Sequence, residues 1–105
     1  MKFSAPSAPP QNVRGVAKHS QTLLISWDPP PLDHQNSPIT GYTLYYSLHG
    51  REPAKKELGS GQRQVQLQGL GKYKKYALWM VAHNRIGKSP PSPEYEIVTK
   101  EEGLF

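Results

Sequence analysis

The residues best suited to chemistry in this sequence are its histidines, and their spacing does not favour catalysis. The four histidines, His19, His34, His49 and His83, fall in separate loops or strands of any plausible arrangement. No two of them have the i, i+4 spacing with which a helix presents two imidazoles to one zinc ion. The sequence has no cysteine, which excludes disulfides and thiolate chemistry. It also lacks a nucleophile elbow, a phosphate-binding P-loop and a calcium loop. We therefore predict a non-enzymatic protein with no cofactor and no metal.

Basic side chains are the second group that points to a binding chemistry. The sequence has 13 Lys and Arg against 8 Asp and Glu, which gives a net charge of +5. The stretch 51–88 is especially basic, because Glu52 and Glu57 are its only acidic residues. Its basic residues are Arg51, Lys55, Lys56, Arg63, Lys72, Lys74, Lys75, Arg85 and Lys88. Two interpretations are open: a charged surface that keeps the protein soluble, or a patch that binds a polyanion.

The longest periodic stretch, residues 76–83, indicates a strand with two distinct faces. Tyr76, Leu78 and Met80 alternate with Ala77, Trp79 and Val81. If the first set faces the core, Trp79 and Val81 must point away from it. Tyr76 also follows Leu70 by six residues. This placement is typical of a tyrosine corner, in which the hydroxyl bonds to backbone a few residues upstream.

Six further segments have the pattern of short strands separated by turn residues. They are residues 11–17, 23–28, 39–47, 51–58, 62–68 and 94–99. No segment has a helical period, so seven short strands in one domain predict an antiparallel β-sandwich. We predict a Pro-rich linker at 1–8, the folded domain at 9–99 and a tail at 100–105. Pro29 to Pro38 is predicted to follow an extended polyproline II path.

Three motifs in the sequence resemble the fibronectin type III family. They are L-x-I-x-W-x-P-P from Leu23, I-T-G-Y-T-L-Y-Y from Ile39 and L-x5-Y-x-L-x-M-x-A-x-N-x2-G from Leu70. The resemblance covers about residues 9–99 and implies an immunoglobulin-like sandwich with sheets A-B-E and C′-C-F-G. The expected core residues are Trp27, Tyr42, Leu70 and Tyr76. Lys72 and Lys74 stand where the family usually carries Pro and Thr, so the loop before strand F is unusually charged.

The implied topology places two candidate surfaces. Strands C and F are neighbours, so Tyr45, Trp79 and Val81 are predicted to form a protein interface on the outer face of one sheet. The alternative is that Lys or Arg stems cover the indole. The A–B, C–C′ and E–F loops gather at one end. That end holds the candidate polyanion patch, which consists of Lys18, Arg51, Lys72, Lys74 and Lys75.

The resemblance names a scaffold, so it predicts a role in binding rather than a reaction. We expect a protein-interaction or spacer module from the extracellular part of a multidomain adhesion or guidance receptor. The expected partners are another protein, adjacent domains of the same chain or a sulfated glycosaminoglycan, and not nucleic acid. The isolated domain is expected to be monomeric. The alternatives are a cytoplasmic structural module of a muscle-type giant protein and a glycosaminoglycan-binding module of the extracellular matrix.

The sequence has no secretory signal at its start and no apolar run of membrane-spanning length. If the domain belongs outside the cell, we expect the chain to be a fragment of a longer protein.

Overall fold

The computed structural model describes residues 4–48 and 51–101, which form two antiparallel sheets. The strands are β1 (Gln11–His19), β2 (Thr22–Asp28), β3 (Gly41–Leu48), β4 (Ala54–Gly59), β5 (Gln64–Leu67), β6 (Lys75–His83) and β7 (Tyr95–Val98). One sheet has the order β1-β2-β5 and the other has the order β4-β3-β6-β7. These orders correspond to the predicted sheets A-B-E and C′-C-F-G, so the predicted sandwich is confirmed.

The strand boundaries differ from the predicted ones where pairing partners run out. β4 begins at Ala54 rather than at residue 51, because Pro53 has no N–H to donate to a ladder. The predicted extended path from Pro29 to Pro38 is wrong in part, because Leu32–His34 forms a 3₁₀ turn. The turn closes with a 2.9 Å hydrogen bond from the His34 N–H to the Pro31 carbonyl. The predicted turn at His49 and Gly50 and the predicted tail beyond residue 101 lie outside the described residues.

The core lies between the sheets and follows the alternation along each strand. Leu23, Ile25 and Trp27 of β2 are completely buried. Trp27 meets Tyr42 of the other sheet edge-on, with ring centroids 5.8 Å apart. The buried indole N–H of Trp27 has no hydrogen-bond partner among the described residues. This unpaired donor is a cost that the apolar contacts of the ring must exceed. Leu70 is buried as well, so it belongs to the same core.

Tyr42 also links the core to the loop before β5. Its side chain is 1% exposed, and the Arg63 guanidinium lies 6.0 Å from the centre of its ring. Burial raises the pKa of the Tyr42 hydroxyl, and the positive charge of Arg63 opposes that rise. The Arg63 carbonyl accepts a 3.0 Å hydrogen bond from the Trp27 N–H, which extends the pairing of β2 to the residue just before β5.

The register brings three connections to one end of the sandwich. Leu23 of β2 lies between Ala17 of β1 and Leu67 of β5, so β1 ends where β5 ends. Leu48 of β3 pairs with Tyr76 of β6, so the β3–β4 connection lies beside the start of β6. The β1–β2, β3–β4 and β5–β6 connections are therefore neighbours, as the topology of the family implied.

The segment before β1 packs on the opposite end. Within residues 4–8, the Ser7 N–H donates to the His34 carbonyl at 2.8 Å. The Asn84 side chain, 5% exposed, donates to the Ser4 carbonyl at 2.9 Å. The described part of this segment is thus tied to the β2–β3 and β6–β7 connections. The domain boundary at residue 9 stays a prediction.

In the part of the chain that the structure describes, no helix has the length and apolarity needed to cross a bilayer.

Candidate interaction surfaces

The outer face is the side of the four-stranded sheet that points away from the three-stranded sheet, and a stacked aromatic pair lies on it. Tyr45 of β3 is paired directly with Trp79 of β6, and Lys55 of β4 completes the row. The centroids of the two rings are 5.7 Å apart, and the ring planes differ by only 10°. Directly paired residues on one face bring their Cβ atoms within about 4.5–5.5 Å, which explains the contact. Both side chains are half-buried, so each ring keeps an accessible part.

The next row on the outer face corrects one prediction. Val81 was expected to be an exposed member of the interface, but it is only 7% exposed. Thr43, its partner on β3, is 1% exposed and donates a 2.8 Å hydrogen bond to Glu57 of β4. Both lie on central strands, beside the taller row of Tyr45 and Trp79. Val81 therefore points away from the core, as expected, yet offers little surface to a partner.

Polar side chains surround the aromatic pair. The Lys88 ammonium donates to the Tyr45 hydroxyl at 3.4 Å. The carboxylate of Glu57 lies 4.0 Å from the Lys55 Nζ and 3.9 Å from the His83 Nε2. The exposed ion pair between Lys55 and Glu57 contributes at most about 1 kcal/mol, so it shapes the surface more than it stabilises it. The alternative that a Lys or Arg stem covers the indole stays a prediction.

The structure places the residues of the predicted polyanion patch around the three connections that share one end. We call this region, with Lys18, Arg51, Lys72, Lys74 and Lys75, the basic end. All five side chains are exposed. Lys75 differs from the others because it starts β6 on the outer face and lies 3.9 Å from Glu96.

A tyrosine corner holds the β5–β6 connection of the basic end in place. The Tyr76 hydroxyl accepts a 2.8 Å hydrogen bond from the Gly71 N–H. The Thr99 hydroxyl donates to the Gly71 carbonyl at 2.7 Å and accepts from the Lys74 N–H at 2.8 Å. The Thr99 N–H donates to the Lys74 carbonyl at 2.9 Å. Backbone on both sides of the connection is therefore fixed by two side chains, Tyr76 from the strand that follows and Thr99 from a distant part of the chain.

Further contacts extend this frame and add a cation that the sequence analysis missed. Gln21 exchanges two hydrogen bonds with the backbone of Leu70, at 3.1 and 2.9 Å. The Tyr73 N–H donates to the Lys100 carbonyl at 3.2 Å, which brings exposed Lys100 to the basic end. Lys100 was assigned to the tail, and no motif signals its return to this loop. Exposed Glu101 follows it and partly offsets the added charge.

Tyr73 is the second residue of this region without a sequence signal. Its backbone has φ of 50°, a left-handed conformation that is uncommon outside Gly and Asn. The residue is 64% exposed, and the exposed Lys72 and Lys74 flank it in the sequence. The basic end therefore carries an accessible aromatic ring as well as positive charge.

The described residues do not assemble a cluster of side chains that could bind a metal ion. No three His, Asp or Glu side chains within 4–48 and 51–101 lie close enough to hold a metal ion. A groove between residues 9–13 and 92–95 is lined mostly by proline and uncharged polar side chains. Such a lining offers few groups that could take up or release a proton. The two surfaces above are therefore the candidate functional sites.

Comparisons with known proteins agree with this architecture. The family model "Fibronectin type III domain" matches residues 8–98. Receptor-type tyrosine-protein phosphatase F of Mus musculus is 37% identical over 103 residues, which are 94% of this chain and 5% of that protein. Cell adhesion molecule Dscam2 of Drosophila melanogaster is 39% identical over 87 residues, 78% of this chain and 4% of that protein. The chain thus spans about one twentieth of the length of these relatives.

Solved structures with the same fold include two single domains. The fn3 domain of human contactin 1 superposes with a TM-score of 0.84 and 21% identity, over 99% of this chain and 87% of that one. The FN5 domain of Drosophila Lar gives a TM-score of 0.73 and 25% identity, over 90% of this chain and 97% of that one. At 21% identity, the contactin match supports the fold alone.

Proposed function

Because the chain belongs to the fibronectin type III family, we propose that it is a non-enzymatic protein-interaction module in the extracellular part of a cell-surface adhesion receptor. The names of the relatives support this location, since they describe a receptor-type phosphatase and a cell adhesion molecule. The segment of the phosphatase that corresponds to this chain is its fibronectin type III part and not its catalytic part. These relatives favour a receptor over the alternative of a cytoplasmic muscle-type module.

The stacked pair of Tyr45 and Trp79 is the observation that carries the proposal. Two flat rings held parallel on a sheet have few rotamers to lose when a partner covers them. The two side chains combine apolar area with a hydroxyl and an indole N–H, and such amphipathic rings dominate many interfaces. The buried Thr43 and Val81 row beside them gives the pair a rigid base. The partner that fits is a protein with a flat apolar or aromatic patch and a carboxylate opposite Lys88.

Binding of the tetramerised domain to cultured cells, measured by flow cytometry, tests this surface. Trp79→Thr keeps strand propensity and removes the indole, so we expect binding to fall about tenfold or more. Val98→Thr is the matched control, because Val98 lies on the outer face and is 41% exposed, but pairs with Lys75 at the far end of the sheet. Binding should be lost after protease treatment of the cells. Full binding by a folded Trp79→Thr variant would contradict the proposal.

The basic end supports a second function, the binding of a sulfated glycosaminoglycan. Lys18, Arg51, Lys72 and Lys74 are exposed around one rigid loop, and Lys100 joins them. Each contact between an exposed cation and a sulfate is weak, so affinity must come from several contacts together. Such binding releases counterions and should weaken steeply as salt is added.

Elution from a heparin column separates this function from a merely solvated surface. The variant Lys72→Ala/Lys74→Ala/Lys75→Ala should elute at clearly lower salt than the parent. A variant with Lys55→Ala and Lys56→Ala is the control, because both cations lie on β4 and not in the three connections of the basic end. If the triple variant and the parent elute together, or if the parent is not retained at physiological ionic strength, the basic end is only a solvated surface.

A further inference from the structure

Tyr73 is an exposed aromatic residue of the basic end, and neither proposed function accounts for it. Cations alone suffice to attract a polyanion, and a solvated loop needs no aromatic residue at its tip. Yet Tyr73 is 64% exposed, and its neighbours in the sequence are the exposed Lys72 and Lys74. Its backbone has the left-handed φ of 50°, where Gly or Asn would fit with less strain. Strained residues of this kind cluster at binding sites.

The backbone around Tyr73 is held from several directions. Its own N–H is bonded to the Lys100 carbonyl at 3.2 Å, and the N–H of Lys74 is bonded to the Thr99 hydroxyl at 2.8 Å. On the other side, the N–H of Gly71 is bonded to the tyrosine corner at 2.8 Å. A ring that projects from such a frame loses little backbone freedom when it meets a ligand. These hydrogen bonds therefore hold the backbone that carries Tyr73 and its flanking lysines in one conformation.

We propose that Tyr73 is the saccharide-contacting residue of a sulfated-glycosaminoglycan site at the basic end, an inference that rests on the second proposed function. A sulfated sugar offers two kinds of groups, the sulfates and the apolar face of the sugar ring. The cations of the basic end match the sulfates. The phenol ring of Tyr73 matches the face of the sugar, and its hydroxyl reaches a sugar hydroxyl. Tyr73 would thus let the site distinguish a saccharide from another polyanion of equal charge.

Calorimetric titration with two ligands tests this inference. The ligands are a heparin-derived oligosaccharide and an inorganic polyphosphate of matched charge, which has no sugar ring. Tyr73→Asn is the key variant, because Asn tolerates the left-handed backbone and should fold like the parent. It should weaken oligosaccharide binding about three- to tenfold, the range of one good aromatic contact. Polyphosphate binding should stay unchanged, and Tyr73→Phe should keep most of the oligosaccharide affinity.

The variant Lys72→Gln/Lys74→Gln tests glycosaminoglycan binding itself, separately from the role of Tyr73. It should weaken the binding of both ligands, because both depend on charge. If Tyr73→Asn changes neither affinity, or lowers both equally, Tyr73 does not contact the saccharide. The basic end would then bind through its cations only. If the double Lys variant binds both ligands like the parent, or if the parent binds neither, the glycosaminoglycan function fails, and the role of Tyr73 fails with it.

Discussion

The two faces of the four-stranded sheet follow the same alternation but have different patterns of burial. On the inner face of β6, Tyr76, Leu78 and Met80 are all at most 8% exposed. On the outer face, Trp79 is half-buried, whereas Val81, two residues further on, is only 7% exposed. Alternation predicts the direction of a side chain on both faces. On β6 it predicts burial only on the inner face, because the opposite sheet covers these three residues.

The difference arises because an outer-face residue is covered only by its neighbours in the same sheet. A side chain on a central strand has a row on each side of it and a partner on each adjacent strand. A short residue such as Val81 is screened by such neighbours, while the large rings of Tyr45 and Trp79 extend beyond them. On this face, Tyr45 and Trp79 are therefore the aromatic residues that a partner could contact. The following predictions test this contrast, beginning with the largest expected effect.

Trp27→Ala tests the inner side of the contrast most severely. The residue is completely buried against Tyr42, so truncation should cost about 3–5 kcal/mol of the free energy of unfolding. Small domains have only about 5–15 kcal/mol in total, so the variant should melt far below the parent or be unfolded. Urea denaturation measures the free energy of unfolding. Trp79→Ala is the outer-face control and should lower it by about 1 kcal/mol or less. Equal losses of stability for the two variants would contradict the difference in burial between Trp27 and Trp79.

Tyr76→Phe tests the hydrogen bond at the edge of the inner face. The ring stays in the core, but the Gly71 N–H loses its acceptor. Because this N–H is then left without a partner, the free energy of unfolding should fall by about 1–3 kcal/mol. Denaturant midpoints of parent and variant measure it, with Tyr73→Phe as the control for an exposed hydroxyl. Coinciding midpoints for Tyr76→Phe and the parent would mean that the corner does not contribute to stability.

Val81→Thr and Val98→Thr compare two valines that share the outer face. Val81 is 7% exposed and Val98 is 41% exposed. A hydroxyl placed at the buried position should cost about 1–2 kcal/mol, whereas the exposed position should change by no more than about 0.5 kcal/mol. Thermal melts of both variants beside the parent provide the comparison. Similar melting temperatures for the two variants would show that Val81 is as accessible as the alternation alone predicted.

Iodide quenching of fluorescence compares the accessibility of the two tryptophans directly, without relying on a change in stability. Trp79 keeps an accessible part, whereas Trp27 is completely buried. The parent should therefore show one quenched and one protected population, and Trp79→Thr should leave only the protected one. The variant itself should lose about 1 kcal/mol or less. If both tryptophans are protected equally, the aromatic pair is covered and the proposed interface fails.

Most of the fold was predictable from local patterns. The alternation of Leu23, Ile25 and Trp27 indicated a buried strand face, and the tyrosine-corner spacing of Leu70 and Tyr76 located the loop before β6. These signals work because a strand repeats every two residues, so the direction of a side chain is a local property. The family motifs then supplied the strand order, which no local signal contains. The shared outer face of Tyr45 and Trp79 followed from that order, whereas their direct pairing is given by the register in the structure.

Features that depend on distant residues were not predictable in this way. Val81 is buried by rows from neighbouring strands, and the position of Lys100 beside Tyr73 joins residues that are far apart in the sequence. The left-handed backbone of Tyr73 has no sequence signal, because Tyr has no preference for that conformation. Contacts of the flanking backbone with Thr99 and Lys100 hold it there. Exposure on the outer face and backbone strain in the loop are set by which distant parts of the chain meet, and the local alternation of residues does not contain that information.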